Sequence, residues 1–334
     1  MAAAKMFDQL ARPVSHADDG MQWHGPVTTL AVNGGEFQLY CELPRLDAQL
    51  DATPWLVMPD CPGAAPDPGR VAPLRRTDSA WWALDPSGGP VSEWASLQDI
   101  DLQRWLDDVC AAADALGLAQ FHVLAGGFSG AAALALAAQY PERISSLVIE
   151  SVFIPLKPVA RAYLQALHRQ DAARYEAVFR RQFDPHAFAQ HFLQMEVRDA
   201  AVAAQVWAQL ESGLGRSGLL TQEPCVIRAR RSLAHFLMHD FFISPQQWTE
   251  DIEKIAQSSV PLTIVQGLGD AVCLPSGAHF LADMLPQANL VELPDVGHAA
   301  VGSLALSAVA GAIQEHRRPR ARLISLAAQR NRSR

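Results

Sequence analysis

Near the middle of the chain stands Phe121-His122-Val123-Leu124-Ala125-Gly126-Gly127-Phe128-Ser129-Gly130. Its first four residues are a short and largely apolar run, which is typical of a buried strand. Small residues follow at once, and an Ala-rich helical pattern runs from about Gly130 to Tyr140, before Pro141. A buried strand that turns through small residues into a helix is a unit of parallel α/β sheets.

Similar apolar runs lie on both sides of this unit. They alternate with helix-length segments, such as Leu102–Leu116 behind a possible cap at Asp101, and this alternation predicts a parallel sheet with crossover helices. Asn33-Gly34-Gly35 predicts an N-terminal hairpin, because Asn-Gly supplies the positive φ angles of a tight turn. The predicted strands are Val27–Val32, Glu36–Cys41, Trp55–Met58, Trp81–Leu84, Phe121–Leu124, Ile144–Ile149, Leu262–Gln266 and Leu290–Leu293.

Strand patterns disappear between about Val152 and Ser258, where helix formers, arginine, glutamine and aromatic residues dominate. We expect this segment to form a helical cap. The predicted division is a first part of the core at 1–151, the cap at 152–258, a second part of the core at 259–316 and a basic tail at 317–334. A last helix is expected from about Ala299 to Ile313. The length of 334 residues suits one large α/β domain with an insertion.

Composition and charge exclude several classes of protein. The net charge of −8 argues against a general nucleic-acid binder, and no apolar run is long enough for a membrane span. The first twenty residues lack a secretory pattern, so we expect a soluble, cytoplasmic protein. The five cysteines are scattered and are expected to be reduced thiols. The tail from Arg317 to Arg334 holds seven arginines and no acid, and is interpreted as a solvated extension or as a dock for an acidic carrier protein.

Two segments after late strands carry the candidate chemistry, Gly269-Asp270-Ala271 and Gly297-His298. Ligands of open α/β sheets bind at the carboxyl ends of strands, so these side chains are expected to face one crevice. A carboxylate can hold one imidazole nitrogen protonated and leave the other free as a base. Asp270 and His298 are the predicted catalytic pair. An acidic turn beside an unrelated loop histidine is the alternative interpretation.

Several further segments are similar to motifs of the prolyl iminopeptidase branch of the α/β-hydrolases and lie in the same order along the chain. Nearly the whole chain therefore resembles this branch. The resemblance implies a mostly parallel, eight-stranded sheet with a helical cap domain, and it implies that Asp270 and His298 belong to a catalytic triad. The matching segments are Pro59-Asp60-Cys61-Pro62-Gly63 at the oxyanion loop, Asp85-Pro86-Ser87-Gly88-Gly89-Pro90, the elbow flanks Leu116-Gly117-Leu118 and Tyr140-Pro141-Glu142-Arg143, and the cap segments Val206–Glu211 and Arg231–Phe236.

The nucleophile position has two possible registers. Family spacing, counted from both flanks, places it at Gly127, between Gly126 and Phe128, so that the turn is kept and the reacting hydroxyl is absent. The competing register uses Ser129, because Gly127-Phe128-Ser129-Gly130-Ala131 also satisfies the small-x-Ser-x-small rule of a nucleophile elbow. It lengthens the strand by two residues and turns the remaining helix by about 200°.

Other positions also depart from the family pattern. Pro59 removes a backbone donor, Asp60 brings a negative charge to the oxyanion loop, and Cys61, where an oxyanion amide is expected, is interpreted as a buried small residue. In the cap, the resemblance makes Glu211, near Trp207, one of the carboxylates that bind a substrate amine, but Leu233 replaces the other. A buried ammonium would be under-paired, which argues against aminopeptidase activity.

These observations leave three functions open. The favoured one is an enzyme whose Asp270–His298 pair acts as a general base on a small, partly apolar metabolite, by proton abstraction, cyclisation or elimination in biosynthesis. The second is a serine hydrolase of an ester, thioester or amide through Ser129, His298 and Asp270. The third is a non-catalytic binding protein. No nucleotide, flavin or metal motif is present, so no cofactor or metal is expected.

Overall fold

The computed structural model describes residues 12–13, 28–43, 53–61, 64, 67–85, 97–213, 223–298 and 303–317. Several sequence predictions concern residues outside these ranges. They are the Pro62-Gly63 and Pro86–Pro90 segments, the start of the last predicted helix at Ala299, and the basic tail beyond Arg317, with its predicted acidic partner.

The described strands are β1 (Arg12–Pro13), β2 (Thr28–Val32), β3 (Gly35–Leu43), β4 (Trp55–Val57), β5 (Trp81–Asp85), β6 (Phe121–Gly127), β7 (Ile144–Val152), β8 (Leu262–Gly267) and β9 (Ala288–Leu293). They join in one sheet, in the order β1-β3-β5-β4-β6-β7-β8-β9, and β2 pairs with β3. The pairs from β5 through β4, β6, β7 and β8 to β9 are parallel, whereas β3 is antiparallel to β2 and β5.

This sheet confirms the predicted fold class. Eight of the described strands correspond one to one to the predicted strands, and the two-residue β1 was not predicted. The hairpin between β2 and β3 turns at Asn33 and Gly34, which both have positive φ, at 47° and 78°. Strand β6 continues three residues past the predicted end at Leu124, as β7 does past Ile149, and the extension of β6 decides where the following turn lies.

Helices cover both faces of the sheet, because each strand in its centre is apolar on both sides. The described helices are α1 (Pro68–Arg76), α2 (Leu102–Leu116), α3 (Phe128–Gln139), α4 (Lys157–Gln170), α5 (Ala172–Phe179), α6 (Pro185–Leu193), α7 (Val197–Gly213), α8 (Glu223–Met238), α9 (Pro245–Gln257), α10 (Pro275–Met284) and α11 (Ser303–Arg317). On one face of the sheet, Val148 and Val265 face α1 and α11. On the other face, Leu147 and Ile264 belong to the larger core beneath α2 and α3.

The described part of the segment between β7 and β8 contains helices and connecting loops but no further strand, and it holds α4 to α9. Helices α6, α7 and α8 pack against one another, whereas α9 packs against α3 of the sheet layer. None of the helices among the described residues combines the length and the apolar character that a membrane crossing requires.

Candidate active site

Two loops at the carboxyl ends of β8 and β9 are joined by backbone hydrogen bonds. Leu268 N donates to the Leu293 carbonyl at 3.0 Å, and Gly269 N donates to the Val296 carbonyl at 2.9 Å. The chains approach so closely that a Cβ on Gly267 would lie 2.4 Å from the Val296 oxygen, which leaves room only for glycine. This contact holds the two loops that carry the predicted acid and base in a fixed relation.

Asp270 and His298 meet at the junction of these loops. Asp270 Oδ1 accepts from the backbone amides of Val272 and Cys273, each at 2.8 Å, and Oδ2 lies 2.8 Å from His298 Nδ1. Both side chains are buried, Asp270 with 3% and His298 with 5% of its surface exposed. Because an ionised carboxylate only accepts hydrogen bonds, Nδ1 is the nitrogen that donates to Asp270, and Nε2 has no hydrogen-bond partner among the described residues.

The strand-to-helix turn lies at Gly127. This residue ends β6, precedes α3 and has φ 57° and ψ −131°, a conformation that side chains adopt only under strain. Apart from its chain neighbours, no described atom lies within 4 Å of a Cβ built on Gly127. A side chain at this position would project into open space, as the nucleophile of an elbow does.

Ser129 lies in the first turn of α3 and takes part in the backbone turn itself. Its Oγ donates to the Gly126 carbonyl at 2.8 Å and accepts from the Gly126 amide at 3.1 Å. The residue has none of its surface exposed. Within the described part of the chain, no hydrogen bond links Ser129 to His298, so the hydroxyl closes the turn from inside.

Phe128 begins α3, and its side chain packs into an aromatic cluster beneath the segment between β7 and β8. The ring centroids of Phe241, Phe236 and Trp105 lie 4.5, 5.3 and 6.2 Å from that of Phe128. As the first residue of a helix, Phe128 has a backbone N–H without a partner inside the helix. In a nucleophile elbow, the backbone N–H of the residue that follows the nucleophile position donates to the oxyanion.

The charge of Asp60, in the predicted oxyanion loop, is compensated by a residue that sequence reasoning missed. Asp60 Oδ1 lies 2.7 Å from Arg70 Nη2, and Arg70 Nη1 donates to the Met58 carbonyl at 3.0 Å. Glu150, at the end of β7, is 4.0 Å from Arg70 Nε. Burial raises the pKa of Glu150 to about 7, and Arg70 opposes the shift. Nothing in the local sequence around Arg70 indicates this pairing.

Cys61 is buried and lies against the segment between β7 and β8. Its thiol donates to the Ala229 carbonyl in α8 at 3.6 Å. Burial raises the pKa of Cys61 to about 12; Arg230 lowers it and Glu211 raises it by smaller amounts. The thiolate is therefore scarce at neutral pH, and Cys61 is a poor nucleophile.

Glu211 is paired inside the same helical segment. Its carboxylate forms a buried ion pair with Arg230 of α8 and accepts from the Tyr163 hydroxyl. Trp207 is fully buried and donates from its indole N–H to the same hydroxyl, with the Arg230 guanidinium carbon 5.1 Å from its ring centroid. Leu233 packs against the core. Trp207 is therefore held inside the fold by its packing partners, and the Glu211 carboxylate already has a cationic partner in Arg230.

An apolar cleft of about 210 Å³ opens at the same end of the sheet as the Asp270–His298 pair. Val152, which pairs with Gly127 across β6 and β7, lines one side, and Leu274, next to Cys273, lines the other. The remaining lining residues are Ile154, Leu156, Val159, Ser276, Gly277 and Phe280. The cleft adjoins the turn and the acid loop without containing the two catalytic candidates in its wall.

Comparisons with known proteins agree with this architecture. A family model described as alpha/beta hydrolase fold matches residues 56–302. A probable proline iminopeptidase of Leptolyngbya boryana is 22% identical over 240 residues, which cover 66% of this chain and 73% of that protein. A proline iminopeptidase of Xylella fastidiosa strain 9a5c is 27% identical over 208 residues, which cover 56% of this chain and only 64% of that protein.

A solved structure shows the same fold. Haloalkane dehalogenase DbeA from Bradyrhizobium elkani USDA94 matches with a TM-score of 0.53 and 19% identity, and the match covers 86% of this chain and 97% of the dehalogenase. The resemblance to the prolyl iminopeptidase branch is confirmed by the two sequence relatives. Because the family model spans well over half of the chain, this protein belongs to the α/β-hydrolase fold family.

Proposed function

We propose that this protein is an enzyme in which the Asp270–His298 pair acts as a general base on a small, partly apolar metabolite, without a serine acyl-enzyme step. The observation that carries the proposal is the conformation of Gly127. The backbone has the strained geometry of an elbow, and its side-chain direction is open, but it bears no hydroxyl. The proposed base and its carboxylate are nevertheless hydrogen-bonded to each other and buried at the carboxyl ends of β8 and β9.

The chemistry follows from the roles of these groups. Asp270 keeps the proton on Nδ1, so Nε2 of His298 can remove a proton from a bound substrate. If that proton lies beside a carbonyl, negative charge develops on the carbonyl oxygen, and the amide of Phe128 would stabilise it. Proton abstraction, elimination and intramolecular cyclisation all begin in this way, and none of them requires a nucleophile on the enzyme.

The surroundings support a partly apolar substrate that lacks a free amine. The cleft beside the turn is lined almost entirely by aliphatic and aromatic side chains. Glu211, the carboxylate that the family resemblance assigns to a substrate amine, is already neutralised by Arg230. Separating that buried pair to admit an ammonium would leave a guanidinium without its partner, which costs several kcal/mol.

Hydrolysis is the second candidate, because the sequence relatives are named proline iminopeptidases. In this chain it would need Ser129 as nucleophile. Ser129 Oγ donates its only proton to Gly126 and lies inside the turn, so it would have to leave both hydrogen bonds before it reached His298. The base-only reaction requires no such rearrangement.

Ring opening of a nitrobenzisoxazole tests the base directly, because this reaction needs only the removal of one carbon-bound proton. We expect the full-length protein to accelerate it and His298→Ala to lower the rate by roughly 100-fold or more. Ser129→Ala serves as the matched control and should keep the wild-type rate. An unchanged rate in His298→Ala would refute the proposed base.

A further inference from the structure

Cys273 brings a thiol to the Asp270–His298 pair. One carboxylate oxygen of Asp270, the sulfur of Cys273 and one ring nitrogen of His298 all lie within 4.8 Å of one another. Cys273 has 1% of its surface exposed, and the other two side chains are nearly as buried. We propose that these three side chains form a binding site for a borderline-soft divalent cation of the Zn²⁺ type.

The ligand set selects the class of metal. Sulfur, imidazole nitrogen and carboxylate oxygen are the three ligand types of protein-bound zinc, and three protein ligands leave a fourth, open position. Magnesium and calcium prefer sites built from oxygen alone, so the thiol discriminates against them. Zinc bonds of about 2.0 to 2.3 Å place tetrahedral ligands roughly 3.5 Å apart. The three atoms lie up to 4.8 Å apart in this structure, so the side chains would move closer together on binding.

The backbone around Cys273 is fixed, as a metal site requires. Its amide donates to Asp270 Oδ1 at 2.8 Å, and its carbonyl accepts from the buried side-chain amide of Gln266 at 3.0 Å. The same Asp270 oxygen accepts from Val272, while the joined loops hold His298 opposite. Two ligands thus come from one short, hydrogen-bonded loop, and the third comes from the next strand end.

Binding has two chemical consequences. The Cys273 thiol must lose its proton to the solvent, because the thiolate is the ligand, so metal affinity rises with pH. The cation also occupies a nitrogen of His298. If Nε2 is the ligand, the basic nitrogen is blocked, and if Nδ1 is the ligand, the hydrogen bond to Asp270 is replaced. On the proposed function, either arrangement makes zinc a reversible inhibitor.

Cobalt titration tests the site independently of any activity. Co²⁺ added to the full-length protein should give a thiolate-to-cobalt charge-transfer band and the visible bands of four-coordinate cobalt. Excess Zn²⁺ should abolish these bands, and excess Mg²⁺ should not. Cys273→Ser should remove the charge-transfer band and weaken Co²⁺ binding by more than about 10-fold. Cys110→Ser is the matched control, since Cys110 is a buried thiol in α2, and it should keep both.

Folding of each variant is checked by circular dichroism before titration. Absence of the charge-transfer band in folded wild-type protein would overturn the site, and so would a band that persists in Cys273→Ser. Because the readout is spectroscopic, a failed metal site leaves the base assignment standing. A failed base assignment, measured with nitrobenzisoxazole in metal-free buffer, leaves the metal site standing.

Discussion

At the scale of single residues, Ser129 is the one that distinguishes the two candidate mechanisms. Its hydroxyl closes the turn between β6 and α3 through two hydrogen bonds to Gly126, and it is fully buried. A hydroxyl with these partners stabilises the fold and has no free path to a substrate. The backbone that carries it is strained at Gly127, so the turn depends on such local bonds.

Ser129→Ala is therefore expected to reduce stability and to leave catalysis unchanged. Loss of the two hydrogen bonds should lower the free energy of unfolding by about 1 to 2 kcal/mol, measured by urea denaturation. The rate of benzisoxazole ring opening should stay within about 2-fold of wild type, since an effect on catalysis of less than about 0.4 kcal/mol is expected. A loss of rate with unchanged stability would reverse the assignment.

Glu150 gives a second prediction at this scale, which concerns pH. Burial raises its pKa from 4.5 to about 7, so the folded state favours the protonated carboxyl. This contribution to stability is complete below about pH 4.5 and is lost as the pH rises through 7. The shift corresponds to about 3 kcal/mol.

Glu150→Gln removes this titration while keeping the shape of the side chain. Between pH 4 and pH 8, the unfolding free energy of the wild-type protein should fall by about 3 kcal/mol relative to that of the variant. Urea denaturation at a series of pH values measures it. The other buried acids contribute equally to the stability of both proteins, so their contributions cancel in this difference. A difference that stays constant over that pH range would contradict the raised pKa.

At the scale of elements, the site depends on how closely the loops after β8 and β9 approach. Gly267→Ala would place a methyl group 2.4 Å from the Val296 oxygen, and the neighbouring backbone would have to move. We expect a loss of about 2 to 4 kcal/mol in unfolding free energy, together with a marked loss of His298-dependent rate.

A matched control exists in α11. Gly311 is exposed, and beyond its own helix backbone no described atom lies within 4 Å of a Cβ built there, so Gly311→Ala should stabilise the protein by about 0.5 to 1 kcal/mol and leave the rate unchanged. Thermal unfolding and the benzisoxazole assay compare the two variants. Equal behaviour of Gly267→Ala and Gly311→Ala would show that the loop contact does not position the dyad.

At the scale of the whole molecule, the sequence predicted the parts that depend on local pattern. The apolar runs predicted eight strands because a strand buried on both faces must be apolar throughout, and the ends of β8 and β9 therefore predicted the meeting of Asp270 and His298. The elbow remained open between Gly127 and Ser129 because both registers satisfy the same small-residue rule. Only the observed end of β6 at Gly127 gives the turn its position.

The partners that the sequence did not predict are pairs between distant elements. Asp60 and Arg70 belong to a loop and to α1, and Glu211 and Arg230 belong to α7 and α8. A charged residue in a single sequence carries no sign of which distant charge it will meet. Both pairs change the chemistry that the isolated residues suggested, since each carboxylate has a cationic partner in the fold.

Gly127→Ser tests whether the elbow lacks only its nucleophile, because it supplies a hydroxyl at the position that the fold keeps open. The strained backbone should cost roughly 1 to 3 kcal/mol, which thermal unfolding measures. Labelling by a fluorophosphonate, mapped by peptide mass spectrometry, is the readout. We predict an unlabelled wild-type protein, a Gly127→Ser variant labelled at residue 127, and loss of that labelling when His298→Ala is added. Labelling of the wild-type protein at Ser129, or no labelling of folded Gly127→Ser, would contradict it.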